Sequence, residues 1–146
     1  MTAALQIRAG SAEDAAVCAA IKNAWIDETS WMPRVHAAED VVRHYRDVVF
    51  KTRRVLVAGT PPEGYIALDD AGFVTSLFVA SKGKGIGKAL LDHAKAQASM
   101  LKLWTFVANV GARRFYEREG FTEIDRSSGD NEEGLADVLL KWEAAR

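Results

Sequence analysis

The chain has 146 residues, 49% of them hydrophobic, and sets 19 Lys and Arg against 20 Asp and Glu for a formal net charge of −1 at pH 7. That length suits one domain with its own core, residues 1–146. The charge balance excludes a broad basic field, so no nucleic acid partner is expected and any anion site must be local. The single cysteine, Cys18, excludes an intrachain disulfide and a cysteine-rich zinc site, and no metal-ligand constellation is visible. Met1 to Gly10 carries no leader pattern and no run reaches the roughly 20 apolar residues of a membrane span, so a cytoplasmic protein with no membrane partner is expected.

Leu5 to Ala9 alternates apolar and polar residues and predicts a short strand, broken at Gly10 and Ser11. Ser11 with Asp14 makes a capping-box pattern, and Val17, Cys18, Ile21 and Trp25 then share one helical face, which makes Cys18 a core residue. A second helix is predicted over Ala38 to Phe50, where Val41, Val42, Tyr45, Val48 and Val49 recur at helical spacing. From Arg54 the period becomes that of strands: Val55 to Ala58, Gly64 to Leu68 and Phe73 to Val79, with Gly-Thr-Pro-Pro and Asp-Asp-Ala-Gly turns between them. Ala89 to Met100 reads as a helix, Leu103 to Val107 as a strand, and Ala112 to Glu119 as a helix stopped by Gly120. Phe121 to Ile124 and Leu135 to Trp142 close the chain as strands. The order predicts an α/β fold: a mixed sheet, antiparallel at its N-terminal end, with helices on both faces.

The segment most suited to chemistry is Leu77-Phe78-Val79-Ala80-Ser81-Lys82-Gly83-Lys84-Gly85-Ile86-Gly87-Lys88, a strand that passes through alternate glycines into a helix. Glycines admit positive φ and close ligand approach, so N–H groups at the helix start can converge on phosphate oxygens. Lys82, Lys84 and Lys88 add local positive charge. A P-loop is excluded, because Lys82 and Ala89 stand where it needs Gly and Ser or Thr. A dinucleotide fingerprint is excluded because Lys88 and Leu90 replace its third glycine.

The run Lys82-Gly83-Lys84-Gly85-Ile86-Gly87 resembles the acyl-CoA signature of the GCN5-related N-acetyltransferases (GNAT family), (Arg or Gln)-x-x-Gly-x-(Gly or Ala), with lysine at its first position. Downstream, Asn109-Val-Gly-Ala112-Arg-Arg-Phe115-Tyr116-Glu-Arg-Glu-Gly120-Phe121 is similar to the family's Asn, Ala, Tyr and Gly-Phe pattern. The resemblance spans nearly the whole chain, although residues 25 to 40 and 125 to 135 match no family pattern, and the stretch from Val79 to Gly83 is shorter than in the family. It implies a splayed central strand pair and direct transfer of an acetyl group from acetyl-CoA, the cosubstrate, to an amine acceptor. It further implies that Leu77, Phe78 and Val79 offer backbone groups to the pantetheine amides, with the Val79 N–H as donor to the reacting carbonyl. Asn109 either supplies an amide to the same arm or caps the following helix. Tyr116 is the expected general acid, since a phenol stays protonated at neutral pH.

Phe73 stands where some family members carry a glutamate, so the base is expected to be a water, Glu28 or His36. Acceptor recognition is expected from Trp31 and His36 in the loop Trp31 to His36 and from Glu132 and Glu133, which suit a cationic amine; a solvated hairpin turn is the other reading of the acidic run. A free-standing enzyme on a small primary amine is expected, as is a homodimer. A CoA-binding sensor or scaffold module without transfer activity, of the same fold, is the alternative.

Overall fold

The computed structural model describes residues 5–145, so the start of the Met1 to Gly10 stretch and the last residue of the expected 1–146 domain lie outside it. Strand β1 (Ile7–Ala9), strand β2 (Arg54–Ala58), strand β3 (Gly64–Leu68) and strand β4 (Val74–Val79) form an antiparallel sheet in that order. Side-chain alternation gives this sheet two apolar faces. Val55, Val57, Tyr65 and Ala67 pack with Cys18, Ala19, Ile21, Val41 and Tyr45, from helix α1 (Ala15–Glu28), helix α2 (Ala38–His44) and the turn that follows it. Leu56, Ala58, Ile66 and Leu68 face the other way, onto Ile86, Leu90, Leu91 and Ala94 of helix α4 (Ile86–Lys95) and Tyr116 of helix α5 (Val110–Arg118).

A second antiparallel sheet runs in the order β5 (Met100–Phe106), β7 (Asp137–Glu143), β6 (Thr122–Ser127). Beyond the named strands the two sheets share a single parallel bridge, Phe73 with Lys102, where the Lys102 N–H donates to the Gly72 carbonyl at 2.9 Å. The expected α/β architecture is therefore observed, with its mixed character confined to that bridge and the β4–β5 pair splayed beyond it. Among the described residues no helix is long and apolar enough to cross a membrane.

Element limits shifted where tertiary packing outweighed local pattern. Helix α4 begins at Ile86 because that buried side chain anchors the first turn, and it stops at Lys95 because Met100 is drawn into β5 opposite Glu143. The second predicted helix widens into a π turn over Tyr45–Val49 before the short α3 (Phe50–Thr52). That turn seats the buried Tyr45 hydroxyl on the hydroxyl of Tyr65. Cys18 is fully buried and burial pushes its thiol up to about 12, which makes it an inert core residue.

The capping box at the start of α1 is tied to β1. The Asp14 carboxylate accepts from the Ser11 N–H at 2.9 Å and from the two terminal Arg8 guanidinium nitrogens at 2.8 and 2.9 Å. The Arg8 hydrogen bonds, and then those from Ser11, hold the Asp14 carboxyl below its ordinary value. Asp14→Ala should cost about 2 kcal/mol in urea unfolding at pH 7. Because the folded-state pKa is depressed, this contribution is complete above the unfolded value of about 3.9 and fades as pH falls through the folded one. The gap between wild type and variant should therefore narrow toward about pH 3, and a gap that is constant with pH would contradict the ion-pair account.

Candidate active site

Strand β4 leads directly into the glycine turn. Gly83 and Gly85 take φ of +80° and +74°, a region that L side chains rarely adopt, and nothing lies within 4 Å of where a Cβ would sit on either. The first helical bond of α4 runs from the Ala89 N–H to the Gly85 carbonyl at 3.0 Å, so among the described residues the N–H groups of Ile86, Gly87 and Lys88 have no backbone acceptor. These donors lie at the positive end of a ten-residue helix. Lys82 and Lys84 are exposed beside them. Lys88 is placed differently: its ammonium lies on Glu119 at 3.1 Å and Asp92 at 3.3 Å, clamping α4 to α5. The Ile86 side chain is core, which leaves only its backbone for a ligand.

Beyond the Phe73–Lys102 bridge, β4 and β5 part around a cleft of about 250 Å³ lined by Leu77, Phe78, Trp104, Phe106, Asn109 and Tyr116 among others. Which β4 backbone groups face this gap follows from register. The Ala80 N–H donates to the Glu63 carbonyl at 2.8 Å, so by alternation Phe78 is paired to Tyr65 of β3 while Leu77 and Val79 turn their N–H and C=O groups outward. Phe78 contributes its ring, 5.2 Å from that of Trp25.

Asn109 fills the N-cap of α5, its side-chain oxygen accepting from the Ala112 N–H at 3.1 Å. The amide nitrogen keeps both donors for the cleft, so the two readings of this residue are compatible. Tyr116 is buried, its ring packed on Phe115 and Phe121 at centroid distances of 5.2 and 5.4 Å. Among the described residues its hydroxyl has no hydrogen-bond partner, yet it is not a sealed, unsatisfied atom: the Tyr116 side chain reaches the cleft lining. Burial holds its pKa well above the ordinary tyrosine value.

The expected acceptor residues divide. Trp31 stacks edge-on against Trp25 and Phe106, both at 5.8 Å, and so closes one end of the aromatic wall. The His36 ring nitrogen meets Glu132 at 2.9 Å, joining the loop after α1 to the β6–β7 connection. Glu133 lines the cleft and a neighbouring cavity of about 200 Å³ bounded by Trp104, Phe106 and Asn131. Glu28 is exposed at the end of α1 and does not line the cleft. Among the described residues no group of three His, Cys, Asp or Glu side chains is placed to hold a metal ion.

A sequence model described as "Acetyltransferase (GNAT) domain" matches residues 32–144. The chain belongs to the GNAT acetyltransferase family. Peptidyl-lysine N-acetyltransferase YiaC of Escherichia coli (strain K12) is 27% identical to it over 135 residues, covering 84% of this chain and 88% of that protein. Two solved structures share the fold. Apo-form YjaB from Escherichia coli has a TM-score of 0.78 at 23% identity and covers 98% of this chain and 100% of that one. The structure of yncA from Salmonella typhimurium with its cofactor acetyl-CoA has a TM-score of 0.71 at 21% identity, covering 97% and 94%.

As a GNAT acetyltransferase, the protein takes its acetyl group from acetyl-CoA. Its residues fit that cosubstrate, with free N–H donors and open space at the glycine turn and an unpaired strand edge beyond it. Sequence reasoning missed Lys22, Trp25 and Ser76, which also line the cleft. Trp25 follows Ile21 by one helical turn and so reads as core, while Lys22 carries no motif signal. The period-2 alternation of β4 puts Ser76 and Phe78 on one face and could have paired them.

Proposed function

We propose that the protein transfers the acetyl group onto a primary amine held in the β4–β5 cleft, and that the acceptor is a small molecule taken from the cytoplasm. The observation that carries this reading is the convergence of the Leu77 backbone, turned outward by the β3–β4 register, the Asn109 side chain and the Tyr116 side chain on one cavity, with the outward-turned Val79 backbone next along the strand. When bound, acetyl-CoA supplies a thioester whose acyl carbon is open to attack by a neutral amine. The N–H groups of the glycine turn hold its phosphates, and the Leu77 and Val79 edge and the Asn109 amide hold its arm.

In this reading the Val79 N–H donates to the carbonyl oxygen as negative charge builds there. The amine nitrogen bonds to the acyl carbon, the carbon–sulfur bond breaks, Tyr116 gives its proton to the departing sulfur, and the surplus proton on the nitrogen returns through solvent to the Tyr116 phenolate. Of the two side chains expected as base, Glu28 stands outside the cleft. His36 also lies outside the cleft lining but pairs with Glu132, the neighbour in sequence of the cleft residue Glu133, and is the side chain we assign to take the ammonium proton through solvent.

The name of the YiaC relative supports a second reading, a peptide lysine as acceptor. A cleft of about 250 Å³ admits the amine end of either acceptor, so relative transfer rates separate the two readings. Steady-state transfer to a panel of free amines should exceed that to lysine-containing peptides by about tenfold or more in kcat/KM, a difference one good contact supplies. The reverse order would assign the protein to peptide substrates.

A further inference from the structure

Lys22 is the one basic side chain among the described residues that line the cleft. It comes from α1 on one face of the sheet, whereas Tyr116 comes from α5 on the other, so the cleft passes through the splay and presents Lys22 at its acceptor side. Lys95, whose side chain is 16% exposed, is by contrast paired, its ammonium 3.8 Å from the Glu119 carboxylate.

Lys22 has no carboxylate within 4.0 Å among the described residues. The Tyr45 ring lies under its ammonium, 5.8 Å away at the centroid. Burial is the main influence on its ammonium and lowers its pKa, with Glu133 and Glu132 acting more weakly in the opposite sense. An ammonium drawn from water into a cavity wall without a partner is costly, and an anionic ligand group seated beside it removes that cost.

We propose that Lys22 anchors a carboxylate of the acceptor, so that the substrate is a free amino acid whose amine reaches across toward Val79 and Tyr116. This rests on the acetyltransferase reading above and narrows its acceptor. Glu133, the one acidic side chain lining the same cleft, faces the ammonium form of such a zwitterion, while Trp25, Phe78 and Trp104 offer apolar walls to its side chain.

The test measures calorimetric binding to CoA-saturated protein of lysine, phenylalanine and tryptophan, each against its carboxamide. The carboxamide is nearly the same shape, lacks the charge and mimics a peptide-linked residue. At least one free acid should bind about tenfold or more tightly than its amide. Lys22→Met should bring that pair to within about twofold, and Lys22→Arg should retain most of the preference. No preference in any pair, or a preference that survives in Lys22→Met, overturns the assignment. The wild-type comparison needs no variant, and thermal stabilisation by acetyl-CoA shows that each variant is folded. Protein that acetyl-CoA fails to stabilise would sink the acetyltransferase reading itself, whereas protein that is stabilised but indifferent to the carboxylate would sink only the role of Lys22.

Discussion

Tyr116→Phe is expected to lower kcat for acetyl transfer by about a hundredfold or more while leaving acetyl-CoA binding and the melting temperature nearly unchanged. The ring is held between Phe115 and Phe121 within the core, and phenylalanine keeps all of that packing. Only the hydroxyl is lost, and among the described residues that group has no hydrogen-bond partner, so its removal strands no donor or acceptor. Stability and turnover should therefore separate in this variant, which a purely structural tyrosine would not allow.

The pH dependence sharpens the point. Burial raises the Tyr116 pKa, so the phenol stays protonated throughout the assay range and its deprotonation cannot supply an alkaline limb. Profiles of kcat from about pH 6 to 10 should keep their shape in Tyr116→Phe and fall by the same factor throughout. A variant with wild-type kcat would return Tyr116 to the core as a packing residue.

Gly85→Glu is expected to abolish stabilisation by acetyl-CoA, which at a ligand concentration a hundredfold above Kd amounts to about 2.7 kcal/mol. The backbone there has φ of +74°, so any side chain costs about 1 to 2 kcal/mol in the free protein. A glutamate also places a negative charge before the unpaired N–H groups of Ile86, Gly87 and Lys88. Gly85→Ala separates these effects, because it bears the backbone strain without the charge. Alanine should therefore lower the melting temperature yet retain most of the acetyl-CoA shift. Equal loss of the shift in both variants would show that the conformation of the turn, and not access to its donors, governs binding.

The glycine turn and the Asn109 to Tyr116 segment were legible as structure because the residues of each are contiguous. Gly83 to Lys88 carry their backbone requirement in the order of glycines, and Asn109 to Tyr116 lie within two helical turns of each other. The rest of the cleft lining was not, because it is assembled across the sheet from positions far apart in the chain: Lys22 and Trp25 on α1, Ser76 on β4, Trp104 on β5 and Glu133 before β7. At Trp25 helical periodicity reports burial equally well against a core or a cavity. At Lys88 the sequence shows a cation beside a glycine turn but gives no sign of the ion pair that Glu119, distant in the chain, makes with it. The limits of α4 moved for a related reason, as strand pairing at Met100 outweighs the helical preference of the alanine-rich stretch before it.

Release of CoA thiol from acetyl-CoA, followed together with mass analysis of the amine, tests the central claim most directly. Thiol should appear only when an amine is supplied, in equal amount to the N-acetylated product, and should nearly cease in Tyr116→Phe. Protein that acetyl-CoA stabilises but that releases no thiol with any amine, free or peptide-linked, would contradict the account and leave the chain as a CoA-binding module without transfer activity.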